Sequence, residues 1–384
     1  MSDAPVGVVG ASARAAVMTL ARAGRTCWAI DLFNDRDLKR IAPCARCSFQ
    51  DFPHAIPALA RRFPPGPVLL AGGMENHPDT IEELARDRDI LGPSADVVRQ
   101  VRNPSIASSR PSSRSRQRPE TLLAGSTVPR CGPHAPRAGS QPEANGSDPD
   151  ASAIAPHAER ADHTVGWLIK SLRSAGGLGV RHAVPGEIVP PGHVAQEFLA
   201  GPVMSAAFHN GERLGVTEQL VGIPWLHAAE FHYAGTIAPA EFHGELTPPA
   251  RAGYHGVDFI LNDGVPRVIE INPRYPASVE AIEFANRLRR VVGKAIWFAP
   301  HAFRFPAAGP WDANLVGPFD PWRLPNFADI PEPGEPFEPG HPVITFFATG
   351  STADDVRERL QSQAEALDRL LEPEGRSEHL SPLL

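Results

Sequence analysis

A chain of 384 residues is long enough for two or three domains, and its 42% hydrophobic and 21% charged residues are ordinary for a soluble globular protein. A net charge of -7 argues against general nucleic-acid binding, which needs a basic surface to displace counterions. No uninterrupted apolar run approaches the roughly 18 residues that cross a bilayer, so no membrane partner is expected. The four cysteines form no disulfide framework, and the start, MSDAPVGVVG, has no basic region of a signal peptide, so a reducing cytoplasm is the expected home.

Residues 4–103 read as alternating strands and helices. PVGVVG is a strand entering a glycine turn, Ser12 to Ala23 an Ala-rich helix closed by Gly24, and TCWAIDLF a second strand ending at Asp31. PVLLAGG is a third strand, followed by a helix over Pro78–Asp87, then ILGPS and a helix from Ser94. This is a small α/β domain with a mainly parallel sheet, set at 1–103. Residues 104–162 change character: they hold no Lys, Phe, Tyr, Trp or Met, and Ser, Arg and Pro give way to Pro, Gly, Ala and Asp. Such a segment buries too little apolar surface to offset chain entropy, and disorder or loose packing is expected of most of it. Its apolar periodicity vanishes and then resumes in register, as out-of-frame sequence would.

Order returns at Val165, and residues 163–300 read as one α+β domain. GWLIK is a strand, SLRSAGGLGV a Gly-rich loop into a second, and VAQEFLAG a third. MSAAFHNGERLGVTEQL is a hairpin turning at Asn210-Gly211, and GVDFILNDGVPRVIEINPR another turning at Asn262-Asp263-Gly264. A helix follows over Ser278 to Val292. Residues 301–384 read as a C-terminal extension with one strand, PVITFFATG, and a helix from Thr352 to Leu371.

Three pieces of this second domain carry chemistry. Lys170 ends a strand six residues before Gly176-Gly177-Leu-Gly179, and a glycine loop between strands can fold its N–H groups over phosphates while the lysine reaches the charge from the side. It is one of only three lysines among 37 basic residues. Gln196-Glu197-Phe198-Leu199 is a strand end whose backbone can face an adenine edge. Asp258 lies on one strand and Glu270-x-Asn272-Pro-Arg274 on the next. The two-residue period puts Glu270 and Asn272 on one face, and the turn pairs their strand with that of Asp258, so three oxygen ligands converge. Mg²⁺ takes one or two carboxylates and phosphate oxygens, and Pro273 projects Arg274 to where a guanidinium can hold a transferring phosphoryl group.

Together these pieces resemble the ATP-grasp superfamily. GWLIKSLRSAGGLGV looks like its phosphate-covering loop, VAQEFLAGPVMS like its adenine hinge, and GVDFI with VIEINPRYPAS like its metal-binding signature. The resemblance implies a Rossmann-like pre-ATP-grasp domain followed by an ATP-grasp fold. It implies that Lys170 binds the α/β-phosphates under Gly176 and Gly177, and that Gln196, Glu197, Phe198 and Leu199 surround adenine. Asp258, Glu270 and Asn272 would hold two Mg²⁺ ions, with Mn²⁺ as an alternative, and Arg274 would stabilise the acyl phosphate. The family's basic residue ahead of the glycine loop has no lysine here, and Arg102 in VRNP is the substitute.

The expected function is an ADP-forming carboxylate–amine ligase whose partners are ATP, a small-molecule carboxylate and an amine; a homodimer is compatible with it. One alternative is an ATP-binding protein without turnover. Another is a nicotinamide-dependent oxidoreductase on the N-terminal sheet, although Gly7 and Gly10 do not meet the G-x-G-x-x-G spacing. Cys44-Ala-Arg-Cys47 lacks a partner pair for zinc. Gly72-Gly73-Met74-Glu75-Asn76 follows a strand and can line an acceptor site. His227, His232 and Tyr233 can approach substrate or sit on a surface loop.

Overall fold

The structure, a computed structural model, describes residues 4–103, 119–129, 166–247 and 252–371. The N-terminal unit starts with β1 (Val6–Val9), buried at all four positions, as a parallel strand covered on both faces must be. Then come α1 (Arg14–Arg22), whose exit turns at Gly24 (φ +69°), β2 (Cys27–Asp31), α2 (Arg36–Ile41), β3 (Cys44–Arg46), α3 (Ile56–Ala60), β4 (Val68–Leu70), α4 (Pro78–Ala85) and α5 (Ala95–Val101). The sheet order is β3-β2-β1-β4, all parallel. The expected strands and helices are present. The additional α2, β3 and α3 are six, three and five residues long, too short to print a period on the sequence.

A small sheet follows, β5 (Thr121–Leu122), β6 (Trp167–Ser171), β7 (Arg181–His182) and β8 (His193–Glu197), in the order β5-β8-β6-β7. Residues 119–129, which composition places in the low-complexity segment, belong to it. Thr121 pairs with Gln196, Thr127 bridges Ile188, and Val128 is buried. The remainder of 104–162 lies outside the described residues.

The large sheet has eight strands in the order β13-β12-β9-β10-β11-β14-β18-β16. Its members are β9 (Val203–His209), β10 (Glu212–Val221), β11 (Tyr233–Ala238), β12 (Tyr254–Asn262), β13 (Val265–Asn272), β14 (Val291–Phe298), β16 (Phe327–Ala328) and β18 (Pro342–Gly350). Between them run α6 (Ser278–Leu288) and the paired short strands β15 (Phe303–Arg304) and β17 (Pro336–Phe337); α7 (Ala353–Leu371) ends the described chain. Both hairpin turns have left-handed residues at two successive positions, Asn210-Gly211 and Asp263-Gly264, matching the twist of the strands they join.

Two expectations are corrected here. The helix ends at Leu288, not Val292, because Arg289 turns left-handed (φ 53°) and Val291-Val292-Gly293 start a strand. Nor are residues beyond 300 an appendage: β14 pairs with β18 along its whole length, and α7 buries Val356, Leu360, Ala364, Leu367 and Leu371 over both. Gly293 permits this approach, since a Cβ there would meet Val356 Cγ1 at 2.4 Å.

One core joins the N-terminal unit to the large sheet, with Ala16 and Val17 of α1 against Val279 and Phe284 of α6. Within it lies a buried ionic cluster. The Arg14 guanidinium binds both oxygens of Glu280 and reaches Asp329, and Lys294 Nζ lies 2.8 Å from Glu280. Asp31 and Asp37 are pushed up to about 6, first by burial and then by neighbouring acids. Asp35 is raised well above the usual carboxylate range by burial and by Asp329, Asp37 and Asp31, and among the described residues its Oδ2 has no hydrogen-bond partner. A carboxylate raised on folding favours the protonated state, so its contribution is present below the unfolded value of roughly 4 and is lost as pH climbs past the folded one. Asp35→Asn is therefore expected to stabilise the protein at pH 7.5 and to change its stability little at pH 4. Thermal melts of both proteins across that range check this.

Candidate functional site

The β12–β13 hairpin forms the floor. Asp258 stands opposite Glu270 in the register, with a bulge immediately after, so the two carboxylates share a face. Asp258 Oδ2 accepts from Asn272 Nδ2 at 2.7 Å and Oδ1 from Gln219 Nε2 at 2.9 Å. Burial, and then the charge of Glu270, push Asp258 up to about 6. Burial also raises Glu270, but Arg102 and Lys170 outweigh it and leave this acid below its ordinary value. Arg102 Nη1 donates to Glu270 Oε1 at 2.5 Å. Asp258 thus lies opposite Glu270 and against the amide of Asn272.

One wall comes from the small sheet. Lys170 Nζ donates to Gln196 Oε1 at 2.6 Å, and burial lowers its pKa although Glu270 and Asp258 pull the other way. Gly176, Gly177 and Gly179 all have positive φ. The loop they form lies on the segment entering β11: Tyr233 N donates to Gly176 O at 3.0 Å, and a Cβ on Gly177 would sit 1.7 Å from Phe231 O. Glycine is required there both by conformation and by contact.

The strand end at 196–199 lines the same space with a different division of labour from the one expected. The Glu197 carboxylate accepts from Glu120 N at 3.1 Å and Arg267 Nη2 at 3.4 Å, and Phe198 N donates to Gly166 O. Glu197 thus fastens the edge strand β5, and the Phe198 ring stands edge-on to His182 at 5.4 Å.

From the N-terminal unit Val101, Arg102 and Asn103 line the cavity, and the segment 72–76 stands behind them without lining it. Arg274 Nε donates to Glu75 Oε1 at 3.0 Å and Nη1 to Tyr275 O, while Arg102 Nη2 donates to Asn76 Oδ1 at 2.6 Å. Glu75 and Asn76 belong to the glycine-led segment weighed for an acceptor site. Their pairing with two arginines carries no sequence signature, because it joins residues 199 positions apart in one case and 26 in the other. Gln219 was also missed, because a polar residue following Thr217 and Glu218 on the same strand gives no signal of its own.

The twelve residues to which the resemblance gives a binding role line one cavity of about 660 Å³: Arg102, Lys170, Gly176, Gly177, Gln196, Glu197, Phe198, Leu199, Asp258, Glu270, Asn272 and Arg274. Gln219 and Tyr233 line it too. His227 does not, since its Nε2 faces Asp368 on α7 at 2.7 Å. Cys44 lies on β3 and Cys47 just past it in the N-terminal unit, away from this cavity. No group of three or more His, Cys, Asp or Glu residues is placed to hold a metal among the described residues, nor is any described helix long and apolar enough to cross a membrane. Two crowded carboxylates beside an amide oxygen are nonetheless a hard-donor set that suits an ion completed by phosphate oxygens.

Residues 150–278 match the family model of the ATP-grasp domain. No curated protein matches the sequence. Among solved structures, the chain is similar to L-amino acid ligase from Bacillus licheniformis (13% identity, 94% of this chain and 97% of that one, TM-score 0.55). It is likewise similar to N5-carboxyaminoimidazole synthase from Aspergillus clavatus (14%, 95% and 99%, TM-score 0.56) and to biotin carboxylase from Campylobacter jejuni (12%, 93% and 90%, TM-score 0.55). At such identities the likeness is one of fold.

Proposed function

For a chain with the ATP-grasp fold and a stretch that matches the ATP-grasp domain, we propose a ligase that uses Mg·ATP to activate a small-molecule carboxylate and joins it to an amine. The observation that carries this reading is one cavity lined both by the acids Asp258 and Glu270 and by the cations Lys170, Arg102 and Arg274. In it Lys170 and Arg102 would bind the phosphates, the glycine loop would close over them, and Phe198 and Leu199 would pack on adenine. Asp258, Glu270 and Asn272 would hold Mg²⁺, which would neutralise the charge on the phosphates during transfer. One ion or two, and Mn²⁺ in its place, are variants of the same donor set.

The substrate carboxylate oxygen bonds to the γ-phosphorus as the bond to ADP breaks, and Arg274 meets the charge spreading over the moving phosphoryl group. The amine nitrogen then attacks the acyl carbon, phosphate leaves, and the surplus proton passes to water. Walls that exclude water protect the acyl phosphate from hydrolysis. The L-amino acid ligase of like fold is in keeping with this reading.

The test is ADP release by the purified protein with Mg·ATP and pooled amino acids and other small carboxylates and amines. ADP formed only when both an acid and an amine are present supports the proposal. Tight ATP binding with no ADP under any pairing would leave a nucleotide-binding protein without turnover and end the ligase reading.

A further inference from the structure

The N-terminal unit does more than face the cavity. Its segment after β4 turns left-handed at Gly73 (φ +90°), where a Cβ would come within 3.1 Å of the Phe52 ring, and delivers Glu75 and Asn76 to the two arginines of the site. Glu75 is almost wholly buried and its carboxylate holds Arg274 by Nε. Since Nη1 is turned to the Tyr275 carbonyl, this leaves Nη2, among the described residues, as the edge free for the cavity. Asn76 uses both ends of its amide: Oδ1 accepts from Arg102, and Nδ2 donates to Ser174 O in the glycine loop at 3.3 Å. The same contact region is pinned by Tyr275 N donating to Leu70 O at 2.9 Å.

We propose that Glu75 and Asn76 are positioning residues. Glu75 sets the angle of the Arg274 guanidinium, and Asn76 ties Arg102 to the glycine loop, so the cations meet the triphosphate in working geometry only while the N-terminal unit is seated. A buried carboxylate that fixes one edge of a guanidinium lowers the entropy lost when the other edge binds an anion. The inference rests on the ligase reading for the identity of that anion, the ATP γ-phosphate.

Calorimetric binding of Mg·ATP and Mg·ADP separates positioning from mere support, because only a displaced Arg274 changes the preference for the longer nucleotide. Glu75→Gln is expected to reduce the ATP-to-ADP affinity ratio about tenfold, and Arg274→Gln at least as much. The double variant should lose no more than the larger single one. A Glu75→Gln protein that keeps the wild-type ratio, or losses that multiply in the double variant, would overturn the inference. If Glu75→Gln does not fold, Glu75→Asp decides: it keeps the charge but shortens the arm, and an unchanged ratio there also overturns it. A wild-type protein that binds neither nucleotide brings down the ligase reading and this inference with it, an outcome distinct from the other two.

Discussion

Replacing Glu270 by alanine is expected to cut ADP-forming turnover on the order of a thousandfold while leaving the melting temperature nearly unchanged. The first half follows from its place. Glu270 lies across from Asp258, draws in Arg102 and Lys170, and faces the one cavity where all of them meet. Losing a group that organises a metal–phosphate clamp costs several kcal/mol of transition-state stabilisation, which is the scale of that rate loss. The second half follows from its exposure: the side chain is 38% accessible, so its removal opens no core cavity. Relief of Asp258 from a neighbouring negative charge should even lower that residue's pKa. Steady-state ADP release and a thermal melt of the same preparation check both. Wild-type turnover in the variant would show that the floor carboxylates do not serve the reaction.

Glu280 behaves in the opposite way. Its side chain is fully buried and answers two cations, Arg14 from the N-terminal unit and Lys294 from β14. These partners hold its carboxyl far below the usual range despite burial that would raise it. Removing the shared acid leaves an arginine and a lysine in the core with reduced compensation, and breaking a buried pair from one side typically costs about 3–5 kcal/mol. Glu280→Ala is therefore expected to lose about that much in urea unfolding, with a matching fall in the transition midpoint. A loss below about 1 kcal/mol would mean that water reaches the two cations in the folded state.

The candidate site was legible where its residues are near one another in the chain. Glu270 and Asn272 alternate on one strand, Asp258 is returned to them by a two-residue turn, and Lys170 stands close to its glycine loop. Each relation spans few residues and follows from strand geometry alone. Gln219, and the pairing of Glu75 and Asn76 with Arg274 and Arg102, became visible only in three dimensions, because nothing within a short window records which loop will close on which strand. The strand β14 was hidden for a related reason: its apolar run directly follows a helix, and a short buried run reads equally well as more helix. The 119–129 edge strand escaped because two paired residues do not change the composition of the long segment around them.

The pairing of β14 with β18 has a practical corollary. A gene shortened after residue 300 would strip away the neighbour along one whole side of β14, leaving alternate residues of that strand with bare N–H and C=O groups while β11 still pairs the other side. An apolar ribbon in that condition recruits other chains, so such a fragment should collect in inclusion bodies instead of behaving as a trimmed catalytic core.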